Sequence, residues 1–298
     1  MIAATVANQL VYPVNLQAKY NGDYTTVPTF TSKPRVYVIF WGAQWKNFSG
    51  NPAGMDSYIK KFYAGLGTNN EKWSGVMTQY CYPNSKYRIN VPSGATRCSV
   101  YAKHIGYPNG GALAGAWYDT SVNAPYYSSS FQIGLEAVKA SIHFKLKTQA
   151  QNNNVQYVIV SPSQTHPDGF GFPGPKSLCA DHNDITNGKL DLAYVNLPYI
   201  PDMGAKCGAN DINYGPSGYL DGVSIVASHE YAETLTDARG TGWYNNNADE
   251  IGDTCRGINT VIDLKTGRFP VQAIWSNDQH GCSTDHRIVR TRQKTKAS

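Results

Sequence analysis

Three segments of the chain have the hydrophobic pattern of buried strands. Apolar side chains, many of them β-branched or aromatic, fill positions 35–41, and Gly42 ends the run. Positions 155–160 and 192–197 have the same character. Continuous apolar runs of this length are typical of strands that are covered on both faces. The pattern therefore predicts a central sheet that contains all three segments.

Helical periodicity marks three other segments. Positions 55–66 place apolar residues three and four apart and are followed by Gly67, which predicts a helix that ends there. Positions 131–150 predict a long amphipathic helix, and positions 220–235 predict a central, buried helix because their first half is almost wholly apolar or small. The apolar stripe of the second helix consists of Ile133, Leu135, Val138, Ile142 and Leu146.

The segments between these elements are more irregular. Positions 73–127 and 242–286 alternate over short distances and are rich in turn residues, which favours short strands. Positions 161–189 are rich in Pro, Gly and Asp, and such a long irregular connection is usually functional. We predict an extended N-terminal arm over 1–34, one α/β domain over 35–286, and a basic tail over 287–298.

Composition and charge narrow the class of protein. The 298 residues are 41% hydrophobic and 16% charged, which suits a globular domain and excludes a disordered chain. No apolar run reaches the roughly 18 residues that a transmembrane helix needs, so no membrane partner is expected. The net charge of +5 comes mostly from scattered cations. The basic tail lacks interleaved aromatics, so it predicts a solvated tail and no nucleic-acid partner.

Six cysteines indicate a disulfide framework, because none of their spacings matches a zinc finger. Many pairings are open, and we favour pairing between sequence neighbours: Cys81 with Cys98, Cys179 with Cys207, and Cys255 with Cys282. Disulfides indicate an oxidising compartment, so we expect a secreted monomer whose leader has been removed. Six reduced thiols in a cytosolic protein are the alternative.

The sequence Ser-His-Glu-Tyr-Ala-Glu lies at 228–233 within the predicted buried helix. His229 and Glu233 are four residues apart, so their side chains emerge on one helix face and can bind the same ion. Glu230 is offset by one step, where a carboxylate can serve as a general base. A surface ion pair is the alternative, but burying a histidine and two carboxylates without a partner is costly. The motif therefore favours a metal site.

The third ligand is expected from the sequence Asp-Glu-Ile-Gly-Asp at 249–253. Glu250 is the candidate ligand, and Asp253 would orient a ligand or exchange roles with Glu250. An acidic surface loop, with or without a structural Ca²⁺, is the alternative. His182 is a reserve ligand or transition-state stabiliser, whereas His166 is more typical of an ordinary hydrogen-bonded loop residue. Nucleophile-elbow and phosphate-loop motifs are absent from the sequence.

A series of short motifs over residues 35–285 resembles the exordium-like, phosphate-induced secreted proteins of plants and their microbial relatives. The motifs are Cys179-Ala-Asp-His182, Leu192-Ala-Tyr-Val-Asn196, Cys207, Leu220-Asp-Gly-Val-Ser, Glu233-Thr-Leu-Thr-Asp237 and Gly242-Trp-Tyr244. The resemblance implies an extracellular protein linked to growth and the cell wall, without catalytic residues. The plant members mostly carry apolar or neutral residues where this chain has His229, Glu230 and Glu233.

The helix motif itself resembles that of the zincin metallopeptidases. This resemblance implies a zincin-like mixed sheet with a central metal-binding helix, Zn²⁺ held by His229 and Glu233, and Glu230 as the general base. With Glu250 as third ligand, we expect a secreted zinc-dependent peptidase that acts on a peptide or protein substrate. Two carboxylate ligands weaken a Lewis acid, so slow or narrow hydrolysis is expected. A non-catalytic binding protein, whose 21 Tyr and 6 Trp stack on glycans, is the alternative.

Overall fold

The fold is known from a computed structural model that describes residues 16–22, 29–171 and 178–294. The helices there are α1 Met55–Gly65, α2 Trp73–Met77, α3 Ser130–His143, α4 Gln149–Asn152 and α5 Asp221–Thr236. The strands are β1 Lys19–Tyr20, β2 Arg35–Trp41, β3 Cys81–Tyr82, β4 Lys103–His104, β5 Leu113–Asp119, β6 Tyr127–Ser128, β7 Val155–Val160, β8 His166–Pro167, β9 Asp181–Asn187, β10 Leu190–Leu197, β11 Trp243–Tyr244, β12 Asn259–Leu264, β13 Gly267–Gln272, β14 Ile274–Ser276 and β15 Gly281–Ser283.

The largest sheet has five strands in the order β5-β2-β7-β10-β9. The first four run parallel to one another, and β9 is antiparallel to β10 at the edge. β2 and β7 have the predicted bounds, and β10 begins two residues before its predicted start. The chain is therefore a mixed α/β protein with a mixed sheet.

Both faces of this sheet are covered, which explains the continuous apolar runs of its strands. Val38 and Val158 face one core, which they share with Val223 and Tyr231 of α5. Ile39, the next residue along β2, faces a second core together with α3. Successive strand residues point to opposite faces, so a two-sided core needs apolar residues at every position.

Helix α5 is central, as its sequence predicts. Every α5 residue except His229 is buried. Its first turn packs against the segment Ile200–Cys207, and a Cβ on Gly222 would lie only 1.9 Å from the Cys207 carbonyl oxygen. Small residues therefore let the helix lie deep in the molecule, where its polar side chains are held in place by packing.

The predicted helix over 131–150 is too long. α3 ends at His143, Lys145 has a positive φ of 60°, and Thr148 caps the separate α4. The predicted stripe is wrong at two positions, since Leu135 and Ile142 are exposed. Small residues such as Gly134 and Ala137 occupy the buried face instead, and small side chains let the helix approach the sheet.

Two regions differ from the expected loops and strands. The predicted β-rich region 73–127 contains the buried helix α2. The predicted irregular segment 161–189 contains β9, whose polar sequence lacks an apolar run because the strand lies at the sheet edge. An edge strand needs less apolar surface than a central one, so its pattern is weak.

Three disulfides join the cysteine pairs that we favoured. The bridges are Cys81–Cys98, Cys179–Cys207 and Cys255–Cys282. None of the helices in the described ranges is both long and apolar enough to cross a membrane.

The two predicted ends of the chain lie partly outside the described residues. Residues 1–15, 23–28 and 295–298 are not described. Within the arm, β1 pairs with β11 and Tyr20 is buried. The described tail residues up to 294 form no helix or strand.

Candidate metal centre

Helix α5 brings the first two predicted ligands together. The His229 Nε2 atom lies 3.0 Å from Glu233 Oε2, one helical turn away. The Glu233 side chain is only 4% exposed, so water contributes little to its solvation. The buried carboxylate therefore depends on protein groups, or an ion, for its stability.

β9 adds His182 to this pair, and a downstream loop adds Glu250. The His182 Nε2 atom lies 3.0 Å from Glu250 Oε2 and 3.7 Å from Glu233 Oε2. On the other side of Glu233, the Asp253 Oδ1 atom lies 3.6 Å from His229 Nε2. The other four residues named by the sequence as ligands or reserves thus lie around the Glu233 carboxylate.

These residues form two overlapping groups that share Glu233. The first is His182, Glu233 and Glu250, and the second is His229, Glu233 and Asp253. Within each group, one ligand atom from each residue lies within 4.8 Å of the others. The geometry thus gathers two imidazoles and three carboxylates beside α5.

Gln272 of β13 fixes the orientation of the His229 ring. The Gln272 side-chain amide donates to the Gly252 carbonyl at 2.7 Å, so its oxygen faces His229 Nδ1 at 3.2 Å. Nδ1 must then carry the hydrogen and donate it, which leaves Nε2 directed at Glu233. Sequence reasoning missed Gln272, because no spacing relates it to the helix motif.

Gly252 lets the acidic loop approach the helix. A Cβ at this position would lie 2.8 Å from Glu233 Oε1 and 3.0 Å from His229 Nδ1. The next residue, Asp253, donates its backbone N–H to Glu233 Oε1 at 3.0 Å. The glycine in Asp-Glu-Ile-Gly-Asp is therefore a sequence feature that indicates close packing.

Burial and neighbouring charges shift the protonation of the cluster. Burial opposes the charged form of His182 and His229, but the surrounding carboxylates outweigh it and raise the pKa of each ring to about 10. Burial also raises the pKa of Glu250 to about 7, although His182 partly offsets it. For Glu233, burial is outweighed by His229, which lowers the carboxyl pKa. The cluster is thus a buried array of carboxylates that requires positive charge.

The donor set fits a divalent ion. His182 Nδ1 and Glu250 Oε1 are buried without a hydrogen-bond partner among the described residues. Imidazole nitrogen and carboxylate oxygen are ligands of Zn²⁺, and unpaired buried polar atoms at such a cluster are costly unless they gain a partner. The residues that could hold an ion are therefore His182, Glu233 and Glu250 in one group, and His229, Glu233 and Asp253 in the other.

Glu230 lies beside the cluster and borders a cavity. It is 4% exposed, and burial raises the pKa of its carboxyl while the Glu233 carboxylate adds to the shift against the opposing effect of His229. Together with His229 it lines a cavity of about 360 Å³. His166, by contrast, lies in β8 against Tyr126, with ring centroids 4.9 Å apart, and does not join the cluster.

Comparisons with protein-family models, with curated proteins and with solved structures give no match for the chain. The interpretation of the site therefore depends on its own geometry and chemistry.

Proposed function

We propose that the chain is a secreted zinc-dependent peptidase with a zincin-like fold. One observation carries the proposal: the Nε2 atoms of His182 and His229 both approach the buried Glu233 carboxylate, and Glu230 lies next to them on a cavity. Two imidazoles, a carboxylate and an adjacent buried carboxyl are the groups that metal-assisted hydrolysis requires.

His182, His229 and Glu233 would hold the ion, and Glu250 would complete the set. Glu250 is preferred to Asp253 because its Oε1 atom lacks a described partner. The Asp253 carboxylate already pairs with Arg256 at 2.5 Å, so Asp253 would position the loop. This set extends the one expected from the sequence by His182.

A bound Zn²⁺ would supply Lewis acidity, which polarises the scissile carbonyl and activates water. Glu230 would accept the proton of the attacking water and return it to the leaving amine. The raised pKa of the buried Glu230 carboxyl suits this task, because the group can then hold a proton until the amine departs. Two carboxylate ligands reduce the ion's Lewis acidity, which favours slow or narrow hydrolysis.

The sheet edge also suits a peptide substrate. β9 carries His182 and is an edge strand of the five-stranded sheet. No described strand pairs with its outer edge. An extended peptide can add to such an edge through main-chain hydrogen bonds. A peptide on β9 would pass close to the candidate ligands.

A second candidate function is non-catalytic glycan binding. Tyr126, Tyr127 and Phe131 are exposed by 54%, 61% and 66%, and the two tyrosine rings are 4.6 Å apart. Exposed aromatic groups of this kind favour stacking on sugars. This surface does not require the buried cluster, so metal analysis separates the two functions.

The test is metal content and peptide cleavage of the same preparation. Protein purified without chelators should hold about one Zn²⁺ per chain and cleave members of a peptide library. Chelation should abolish cleavage, and added Zn²⁺ should restore it. Protein that holds no stoichiometric transition metal and cleaves nothing with any added metal would overturn the proposal.

A further inference from the structure

One face of α5 continues from the candidate metal centre into the adjacent cavity. Ile225, Val226, His229 and Glu230 follow the spacing of a single helix face, and all four line the cavity. Its volume of about 360 Å³ is at the lower end of the range for ligand pockets. A space of this size next to Glu230 suits one side chain and its flanking backbone.

One part of the cavity lining is apolar. Ile225 and Val226 of α5 are buried, and Ala180 and the Cys179–Cys207 bridge line the same cavity. The bridge holds this part of the lining close to the helix: a Cβ on Gly208 would lie 3.1 Å from the Gly222 Cα and 3.5 Å from the Ile225 Cδ1 atom. This apolar part of the lining, held by a covalent bridge, favours an apolar side chain, because burying apolar surface against it is favourable.

The described residues that line the cavity include two basic side chains, Lys206 and Arg256. Arg256 pairs with Asp253 at 2.5 Å, and Asp211 accepts a hydrogen bond from the Asn259 amide at 2.8 Å. Lys206 also lines the cavity, and it makes no ion pair with any described residue. The Asn259 Oδ1 atom is buried without a described partner, so it can accept a hydrogen bond from a peptide N–H.

We propose that this cavity receives an apolar side chain of medium size from the residue that flanks the scissile bond, and that Lys206 favours an acidic residue next to it. The inference rests on the proposed peptidase function and specifies its substrate class. Val226 would set the size of the accepted side chain, since it lies one turn before His229 and Glu230. Lys206 would set the preference for charge.

Cleavage profiles of variants test the two roles separately. Val226→Phe fills the cavity and should lower cleavage at Leu, Met and Phe by about tenfold or more relative to Gly and Ala. Val226→Ala enlarges it and should shift the preference towards larger side chains. Lys206→Glu should reduce the preference for acidic neighbours by about tenfold. Zinc content should stay that of the wild type.

Two surface substitutions serve as matched controls. Val122→Phe and Lys147→Glu make the same chemical changes at exposed positions outside the cavity, and both should keep the wild-type profile. If the wild type cleaves peptides but the Val226 and Lys206 variants keep its profile, this inference alone is overturned. If the wild type cleaves nothing, the proposed function fails and this inference fails with it.

Discussion

Glu230 and His229 are neighbours on α5, but the proposal gives them different tasks. His229 directs Nε2 at Glu233, whereas Glu230 would act only by accepting and returning a proton. Glu230→Gln should therefore keep the zinc content and lower kcat/KM by about 10² to 10⁴. His229→Ala should lose both zinc and activity. Elemental analysis and peptide assays on both variants distinguish the loss of zinc from the loss of proton transfer.

A buried glutamate far from the site provides the control for this pair. Glu136→Gln makes the same change in α3 and should leave kcat/KM unaltered. Wild-type cleavage by Glu230→Gln would contradict its role as a general base.

His182 is the residue whose role the geometry changes most. The sequence offers it only as a reserve, because a histidine in a polar segment has no periodic partner. β9 brings it within 3.0 Å of Glu250 and 3.7 Å of Glu233. His182→Ala should therefore weaken zinc binding by about 100-fold or more, a loss larger than that expected for an outer-shell partner.

Competition with a fluorescent zinc chelator measures this affinity. His166→Ala is the matched control, since His166 packs against Tyr126 and lies outside both ligand groups. Equal zinc affinity in the two variants would show that His182 is not a ligand.

At the scale of elements, α3 meets β5 at a buried carboxyl pair, Glu136 and Asp119. Burial raises the pKa of Glu136 to about 7 from 4.5; Lys139 opposes the shift and Asp119 adds to it. The folded chain therefore holds a proton that the unfolded chain has released between these pH values, so stability falls as pH rises through this window. Glu136→Gln should remove this dependence and raise Tm at pH 8 by about 2–4 °C.

Thermal unfolding of wild type and Glu136→Gln at pH 5 and pH 8 tests this prediction. At pH 5 the wild-type carboxyl is mostly protonated, so the two proteins should unfold at similar temperatures. A Tm difference that is the same at both pH values would mean that the Glu136 carboxyl does not titrate in this range.

The helices and strands also show which features a sequence pattern can predict. β2 and β7 are covered on both faces and α5 is buried along nearly its whole length, so the strands and the first half of the helix are almost wholly apolar or small. β9 lies at an edge and α3 packs through small residues, so hydrophobicity alone missed the first and misplaced the buried face of the second. A hydrophobic pattern therefore predicts a buried face best where the buried side chains are large and apolar.

The residues of the candidate site also differ in whether the sequence could place them together. His229, Glu230 and Glu233 share one helix, so local spacing was enough to place them together. Gln272 belongs to β13, and it reaches His229 only because that strand packs along α5. A contact between elements distant in sequence leaves no periodic signal, whereas a motif within one helix does.

At the scale of the whole molecule, two of the three disulfides hold the segments that carry candidate ligands. Cys179 lies shortly before His182, and Cys255 shortly after Asp253, whereas Cys81–Cys98 closes a loop that contains no ligand. Three bridges are compatible with a secreted protein, where such bonds persist. The bridges should therefore differ in their effect on zinc although all of them stabilise the fold.

Replacing each cysteine pair by serine separates these effects. Each of the three double variants should lose about 2–4 kcal/mol in free energy of unfolding, because the loops close over 17, 28 and 27 residues. Only the variants of Cys179–Cys207 and Cys255–Cys282 should also bind zinc about tenfold or more weakly, since their ligand segments gain freedom that binding must remove. Denaturant unfolding and zinc competition measure the two quantities on the same samples. If the Cys81–Cys98 variant loses as much zinc affinity as the other two, the bridges act through global stability alone and do not position the ligands.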